Sequence, residues 1–316
     1  MITFNEINKH GIIELVREHK FELHKTIGLD SKYTFGIEIE FEKAPLDSLK
    51  NTGHWKLEDE TVISKNTVSQ TCGGELVSPI LTDNPNSWLE IQAMCSELVN
   101  NGAVTSEYTG GHIHIGSQII GSNPDNIRIF LKMWELFERE IYYFSYGYDD
   151  RARLGVDRYA KPVGKQLNRL RTSKTGYNRF TTFYCWMNYF RTHYTAKFEG
   201  VSFKNFRGCE MDEGNTIEIR CPNGTLNPII WQNNVNFFTR LMLSCRADKV
   251  DEQLLDYLLF KKKSSDLCFE NFNIPDIGQA VLFSNMIYDD EIEQLTFLKQ
   301  CLKLFTEDEK NKNYSL

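Results

Sequence analysis

The sequence predicts an α+β protein: an antiparallel sheet with one open, charged face and helices packed on the other. Three observations carry this. First, residues 33–42 alternate strictly, with Phe35, Ile37, Ile39 and Phe41 on one side and Thr34, Gly36, Glu38, Glu40 and Glu42 on the other, the period of a half-buried strand. Second, the construction recurs: GGHIHIG sets His112 and His114 around one isoleucine, and TIEIRCP sets Glu218 and Arg220 around another. Third, the intervening segments carry apolar residues at helical spacing, as in Ile127, Phe130, Leu131, Trp134, Phe137 and Ile141.

Taken in chain order, residues 5–28 space Ile7, Ile12, Leu15, Val16 and Phe21 for a leading helix or two ending near Gly28. After the strand at 33–42, a second extended stretch is expected at 75–80. A helix follows, opened by the cap signal Asp83-Asn84-Pro85 and closing near Asn100, before Gly102. A strand at 112–116 is introduced by Gly110-Gly111, and a helix over 124–146 opens at Asn123-Pro124. Residues 151–208 hold 13 Lys+Arg against two acids, Asp157 and Glu199, a balance of +11 inside a chain of net charge −7. The remainder therefore sums to −18. A strand is expected at 216–221, then a loop over 222–228, a long helical pattern to about Phe260, and a tail of one loop and one or two helices. No repeat or linker separates these parts. They read as an N-terminal helical segment (1–30), a main domain (31–262) and a C-terminal helical extension (263–316) of that same domain.

Composition excludes several classes of function. The net charge argues against a surface that coats duplex nucleic acid or an anionic membrane. No run approaches the roughly 18 apolar residues a membrane span needs, and the N-terminal stretch interrupts every apolar run with charge, so neither a signal peptide nor an anchor is expected. The eight cysteines form no CxxC pair and read as reduced thiols in a cytoplasmic protein.

If the alternating strands share one sheet, its polar face collects Glu38, Glu40, His112, His114, Glu218 and Arg220. Carboxylates with an imidazole suit Mg²⁺ or Mn²⁺, while Arg and His beside them suit phosphate. Any one of these strands alone reads equally well as the wet face of an antiparallel sheet. Three of them, with paired glycines before Glu75 and before His112 to permit close backbone approach, point to a site. Glu42, last in its strand, reads as solvated. The chain contains no GxSxG, no P-loop and no cysteine beside an obvious base.

In order, GIEIEFE, GGELVSPIL, GGHIHIG and TIEIRCPNGTLNP resemble the motifs of the amidoligase family, a branch of the glutamine synthetase and glutamate-cysteine ligase superfamily of carboxylate-amine ligases. The resemblance runs over about residues 33–240. It implies a glutamine-synthetase-like antiparallel sheet with the active site on its open face, and an ATP-dependent enzyme forming an amide through an acyl phosphate. ATP and Mg²⁺ (or Mn²⁺) are the implied cofactors, and small-molecule or peptide carboxylates and amines the implied partners. Position by position, it implies divalent-metal ligands at Glu38, Glu40, Glu75, His112 and Glu218, and nucleotide-phosphate contacts at His114 and Arg220. Asp59, in WKLEDET, takes the place of an acidic residue that relatives carry after a Trp; a substrate role and an ordinary turn residue both remain open. Relatives also show an Arg-Tyr pair shortly before an Asn. Here Phe183-Tyr184 before Asn188 lacks the arginine, so that contact does not carry over.

The basic segment offers Arg151, Arg153, Arg158, Arg169, Arg171, Arg179 and Arg191 as further anion contacts or as surface charges. Tyr184, Trp186, Tyr189 and Phe190 read as core. Two other functions compete: a metal-dependent hydrolase built on H-x-H, and a non-catalytic protein that binds an acidic partner through 151–208.

Overall fold

The computed structural model describes residues 9–49, 52–59, 73–193, 198–208, 214–246, 249–306 and 309. Among these, seven strands form one sheet: β1 (Thr34–Glu42), β2 (Lys56–Asp59), β3 (Gly73–Val77), β4 (Leu81–Thr82), β5 (Gly111–Gly116), β6 (Val201–Ser202) and β7 (Thr216–Ile219). Their order is β2-β3-β1-β5-β7-β6, with β4 also on β1, and every pairing is antiparallel. The mixed helix-and-sheet class and the open antiparallel sheet follow the sequence reading.

The alternation decides which face is buried. Phe35, Ile37, Ile39 and Phe41 of β1, Ile113 and Ile115 of β5, and Ile217 and Ile219 of β7 are all buried on one side. Against that side lie α2 (Pro85–Asn100), whose Trp88 stacks on Phe35 with ring centroids 5.2 Å apart, and α7 (Pro228–Ser244). The first begins as its cap signal predicts, and both have Pro at the first position. The Asn84 side chain accepts from Ser87 N–H and the Asn227 side chain from Ile229 N–H.

Behind this layer runs α3 (Asp125–Ser145), with 18 of its 21 residues buried. A helix buried all round must pair its charges. Glu135 is bonded by Arg171 of α5 (Gly164–Arg171), and Glu138 accepts from the N–H groups of Val163 and Gly164. Helical geometry breaks at Phe137, where Lys262 Nζ donates to the carbonyls of Glu135 and Leu136. The remaining helices are α1 (Lys9–Glu18), α4 (Val156–Tyr159), α6 (Phe183–His193), α8 (Glu252–Lys261), α9 (Ile277–Ile287) and α10 (Glu291–Leu302).

Several expectations change. The leading helix stops at Glu18, and residues 19–28 are irregular because their backbone is bonded elsewhere. His24 exchanges two hydrogen bonds with the Gln232 side chain, and the Asp83 carboxylate takes the N–H groups of Ile27 and Leu29. The single long helix expected to Phe260 is two helices, α7 and α8, the second begun by Asp251 capping Gln253 and Leu254 N–H. Trp186, Tyr189 and Phe190 are core, as read, but Tyr184 is exposed. Cys95, Cys221, Cys245 and Cys301 are buried free thiols. Ile7, Cys72, Cys209 and the last six residues lie outside the described residues. No helix among those described is long and apolar enough to cross a membrane.

Candidate active site

Register turns the alternating patterns into a grid on the open face. Glu40 lies opposite Glu75, which in turn lies opposite Glu58 of β2; Glu38 lies opposite His112; His114 lies opposite Glu218. Each of these side chains shares the face opposite the isoleucines because strand positions two apart point the same way.

Glu38 is the hub. Its Oε2 accepts from His112 Nδ1 at 2.6 Å and its Oε1 from His114 Nε2 at 2.7 Å. Burial pushes its carboxyl up, but the two histidine hydrogen bonds outweigh burial and hold it well below the ordinary carboxylate range. His114 responds in kind: burial lowers it, yet Glu38 and Glu218 together raise it above the usual imidazole value. Arg220 bonds Glu218 within β7 and its neighbouring turn. His112 is buried, with Glu75 Oε1 3.6 Å from Nδ1 and Glu40 Oε1 3.5 Å from Nε2, and Nε2 has no hydrogen-bond partner among the described residues.

Two sets of three ligand atoms lie within 4.8 Å of one another: Glu38, Glu75 and His112, and Glu38, His114 and Glu218. The structure thus gathers Glu38, Glu40, Glu75, His112, His114, Glu218 and Arg220 on one face. It does not bring Asp59 to them. Asp59 is exposed on the edge strand opposite Gly74, with the parity of the other face, while Glu58 is the residue in register with Glu75. Glu42 departs from the solvated reading: it is buried and accepts from Ser106 Oγ at 2.7 Å, because the loop before β5 folds over the end of β1.

Of the seven arginines named from the basic segment, one reaches this face. Arg153 is buried, its Nη2 donating to the Arg220 carbonyl at 3.1 Å and its Nη1 lying 3.9 Å from Glu40 Oε2. Its own N–H donates to Asn223 Oδ1, which gives a role to a loop left unassigned by the sequence reading. The remaining charge is dispersed: Arg171 is paired inside the fold with Glu135, while Arg158, Arg169, Arg179 and Arg191 are exposed. No sequence period marks Arg153. The signal that bore on it was Gly110, whose missing side chain makes room for the guanidinium.

Two cavities flank the grid. One of about 500 Å³ opens over the bare strand positions Gly36 and Gly116, with His114, Glu38 and Thr216 on its floor and Val77, Pro79 and Ile80 on its wall. The other, of about 190 Å³, adjoins Arg153 at the opposite end.

The two overlapping carboxylate-imidazole groups on this open sheet have a donor set that could hold divalent cations. The model of the family described as "Putative amidoligase enzyme" matches residues 46–242, and the chain belongs to that family. Membership points to a ligase acting on small molecules. The matched span includes Glu75, His112, His114, Glu218 and Arg220; Glu38 and Glu40 precede it and join the site through their register with β3 and β5. A comparison with curated proteins finds no match.

Proposed function

We propose that the protein is an ATP-dependent carboxylate-amine ligase on a glutamine-synthetase-like fold, with an amino acid or peptide as one partner. The observation that carries this reading is the sharing of Glu38. One carboxylate bonds both histidines and belongs to both three-ligand groups. A shared carboxylate suits two divalent cations side by side, and phosphoryl transfer between two anions calls for that arrangement.

The donor set fits Mg²⁺ or Mn²⁺. Each group offers two carboxylates to one imidazole, a hard, oxygen-rich set. The buried, unpartnered Nε2 of His112 is the kind of polar atom a ligand would satisfy. Glu38, Glu75 and His112 would hold one cation, and Glu38, His114 and Glu218 the other. Bound there, they would neutralise the repulsion between triphosphate and carboxylate.

The chain's own residues position the reactants. Glu40, bonded to Gly110 N–H, brings a further carboxylate to 3.5 Å from His112 Nε2. His114 and Arg220 present positive charge to phosphate oxygens. The larger cavity takes the nucleotide, because its bare glycine floor leads to His114 and the second group. In the ligase reaction a carboxylate oxygen bonds to the γ-phosphorus as the bond to the β-phosphate oxygen breaks, releasing ADP. The neutral amine nitrogen then bonds to the acyl carbon, phosphate leaves, and the nitrogen gives up its proton to solvent.

Incubation of the pure protein with ATP, Mg²⁺ and pools of carboxylates and amines tests this. ADP release that needs both substrates and vanishes in Glu38→Ala supports the ligase. Turnover without ATP, restored by Zn²⁺ after chelation, would overturn it in favour of the hydrolase.

A further inference from the structure

We infer that a third cavity, between the N-terminal segment and two helices, is a separate binding site for a small zwitterion of the α-amino-acid kind. The cavity measures about 360 Å³, within the ~300–1,000 Å³ of sites that enclose small molecules. It is walled by α7, by α10 and by residues from the 20–27 segment, and it shares no lining residue with the grid or with either cavity beside the grid. The inference is independent of the ligase reading.

The composition of the inner wall is the first observation. Elements packed against one another ordinarily meet through apolar side chains. Here α7 turns a polar stripe towards the covering segment, with Gln232, Asn233, Asn236 and Arg240 at helical spacing and Glu293 facing them from α10. Part of that stripe holds the wall in place. Gln232 exchanges two hydrogen bonds with the His24 backbone, and Arg240 Nη2 donates to the Ile27 carbonyl at 2.7 Å. Glu293 Oε1 accepts from Asn236 Nδ2 at 3.0 Å and from Arg240 Nε at 3.2 Å. The segment is therefore tied at His24 and at Ile27, and the space behind it is kept by hydrogen bonds rather than closed by packing.

The second observation is what these bonds leave over. Among the described residues, Arg240 Nη1, Glu293 Oε2 and Asn233 Oδ1 have no hydrogen-bond partner. Asn233 is only 8% exposed, and its Nδ2 is committed to Gln300 Oε1. An acceptor buried to that degree is expensive to leave unpaired, so a ligand that donates to it gains the difference.

The arrangement of charge selects the ligand. Because Arg240 and Glu293 are in contact, a cationic donor and an anionic acceptor stand side by side on one wall. A simple anion drawn to Arg240 meets Glu293, and a simple amine drawn to Glu293 meets Arg240; each pays a like-charge contact. An α-amino acid carries its carboxylate and its ammonium group on one carbon and so offers opposite charges at the same close spacing. Its carboxylate would accept from Arg240 Nη1, and its ammonium group would donate to Glu293 Oε2 and Asn233 Oδ1.

Binding is tested on the full chain by calorimetry, with neither nucleotide nor divalent cation present. The probes are the common free amino acids and, for each that binds, the matched compounds lacking the amino or the carboxyl group. At least one amino acid is expected to bind, and both matched compounds to bind at least about tenfold more weakly, the worth of one charge-assisted hydrogen bond. Glu293→Gln is the discriminating variant. Its amide oxygen can still accept from Asn236 and Arg240, which keeps the wall, while the unused acceptor becomes a donor. It should weaken the amino acid at least about tenfold and leave thermal unfolding of the free protein unchanged. Glu38→Ala, on the grid, should leave this binding as it is. In the wild type, hydrogen exchange should show the amides of His24 and Ile27 better protected on binding, and those of β1 unaffected. No amino-acid binding by the wild type, equal binding of either matched compound, or unchanged protection at His24 and Ile27 would each overturn the inference. So would binding lost in Glu38→Ala and kept in Glu293→Gln, which would put the ligand on the open face of the sheet.

Discussion

A Cβ added to Gly110 would fall 1.0 Å from Nη1 of Arg153 and 2.2 Å from its Cζ. The two residues are 43 positions apart in the chain and occupy one volume. Glycine stands in β5's approach for a steric reason, since no side chain can coexist with the guanidinium. Gly110→Ala should therefore expel Arg153 from the face and cost about 1–3 kcal/mol, the usual penalty of overpacking. Urea denaturation of Gly110→Ala, Arg153→Ala and the double variant checks the coupling. The double variant is expected to be less destabilised than the sum of the two; simple additivity would mean the pair does not share that space.

The carboxylate hub makes a sharper prediction about cations. Glu38 belongs to both ligand groups, so Glu38→Gln should weaken both together. Mn²⁺ titration followed by electron paramagnetic resonance should show tight binding to the wild type and affinity reduced at least about 100-fold in the variant. Glu42→Gln is the control. Its carboxylate is on the same strand but buried under Ser106, and Mn²⁺ binding should be unchanged. Equal losses in both variants would mean that general acidity, rather than the grid, attracts the ion.

These contacts show how far the sequence could be read. The face was legible because Glu38, His112 and Glu218 each sit in a period-two pattern with buried isoleucines, and period two assigns a face without knowledge of partners. Pairing was not legible. That Glu58 rather than Asp59 aligns with Glu75 depends on the β2–β3 register, and a four-residue edge strand with a single buried-side leucine has too little pattern to fix it. Arg153 was hidden for a related reason: it reaches the site from an irregular segment, through contacts with Gly110, Arg220 and Asn223 that no local period encodes. Glu42 was misjudged because its cover, Ser106, comes from another part of the chain.

Asp83 shows the same kind of tertiary override at the N-terminal segment. Its buried carboxylate accepts from Ile27 N–H, Leu29 N–H and the Trp88 indole N–H. It thereby satisfies the Ile27 and Leu29 N–H groups, which lie beyond the end of the leading helix. Asp83→Ala leaves those donors unsatisfied and should cost about 2–4 kcal/mol. Hydrogen exchange gives the diagnostic readout: protection of the Ile27 and Leu29 amides should fall far more than that of β1. A uniform loss would assign Asp83 a general rather than a local role.

The pH dependence of stability is expected to pass through Glu252, which ties α8 to the buried α3. Its Oε1 accepts from Arg128 Nε at 2.7 Å and Lys132 Nζ at 2.8 Å, and its Oε2 from Arg128 Nη2 at 3.0 Å. Partial burial raises its carboxyl, but the bonds from Arg128 and Lys132 outweigh that and bring it from 4.5 down to about 2. A carboxyl depressed in the folded state binds its proton more readily when unfolded. Its stabilisation is therefore complete above the unfolded value near 4.5 and is lost as pH falls towards 2. The side chain is 30% exposed, so solvent screening reduces the contribution to about 1–2 kcal/mol. Denaturant unfolding of wild type and Glu252→Gln should differ by that amount at pH 7, and the two curves should converge as pH drops from about 4.5 to 2. A gap that stays constant across this window would show that the glutamine disturbs packing between α8 and α3 rather than removing a charge.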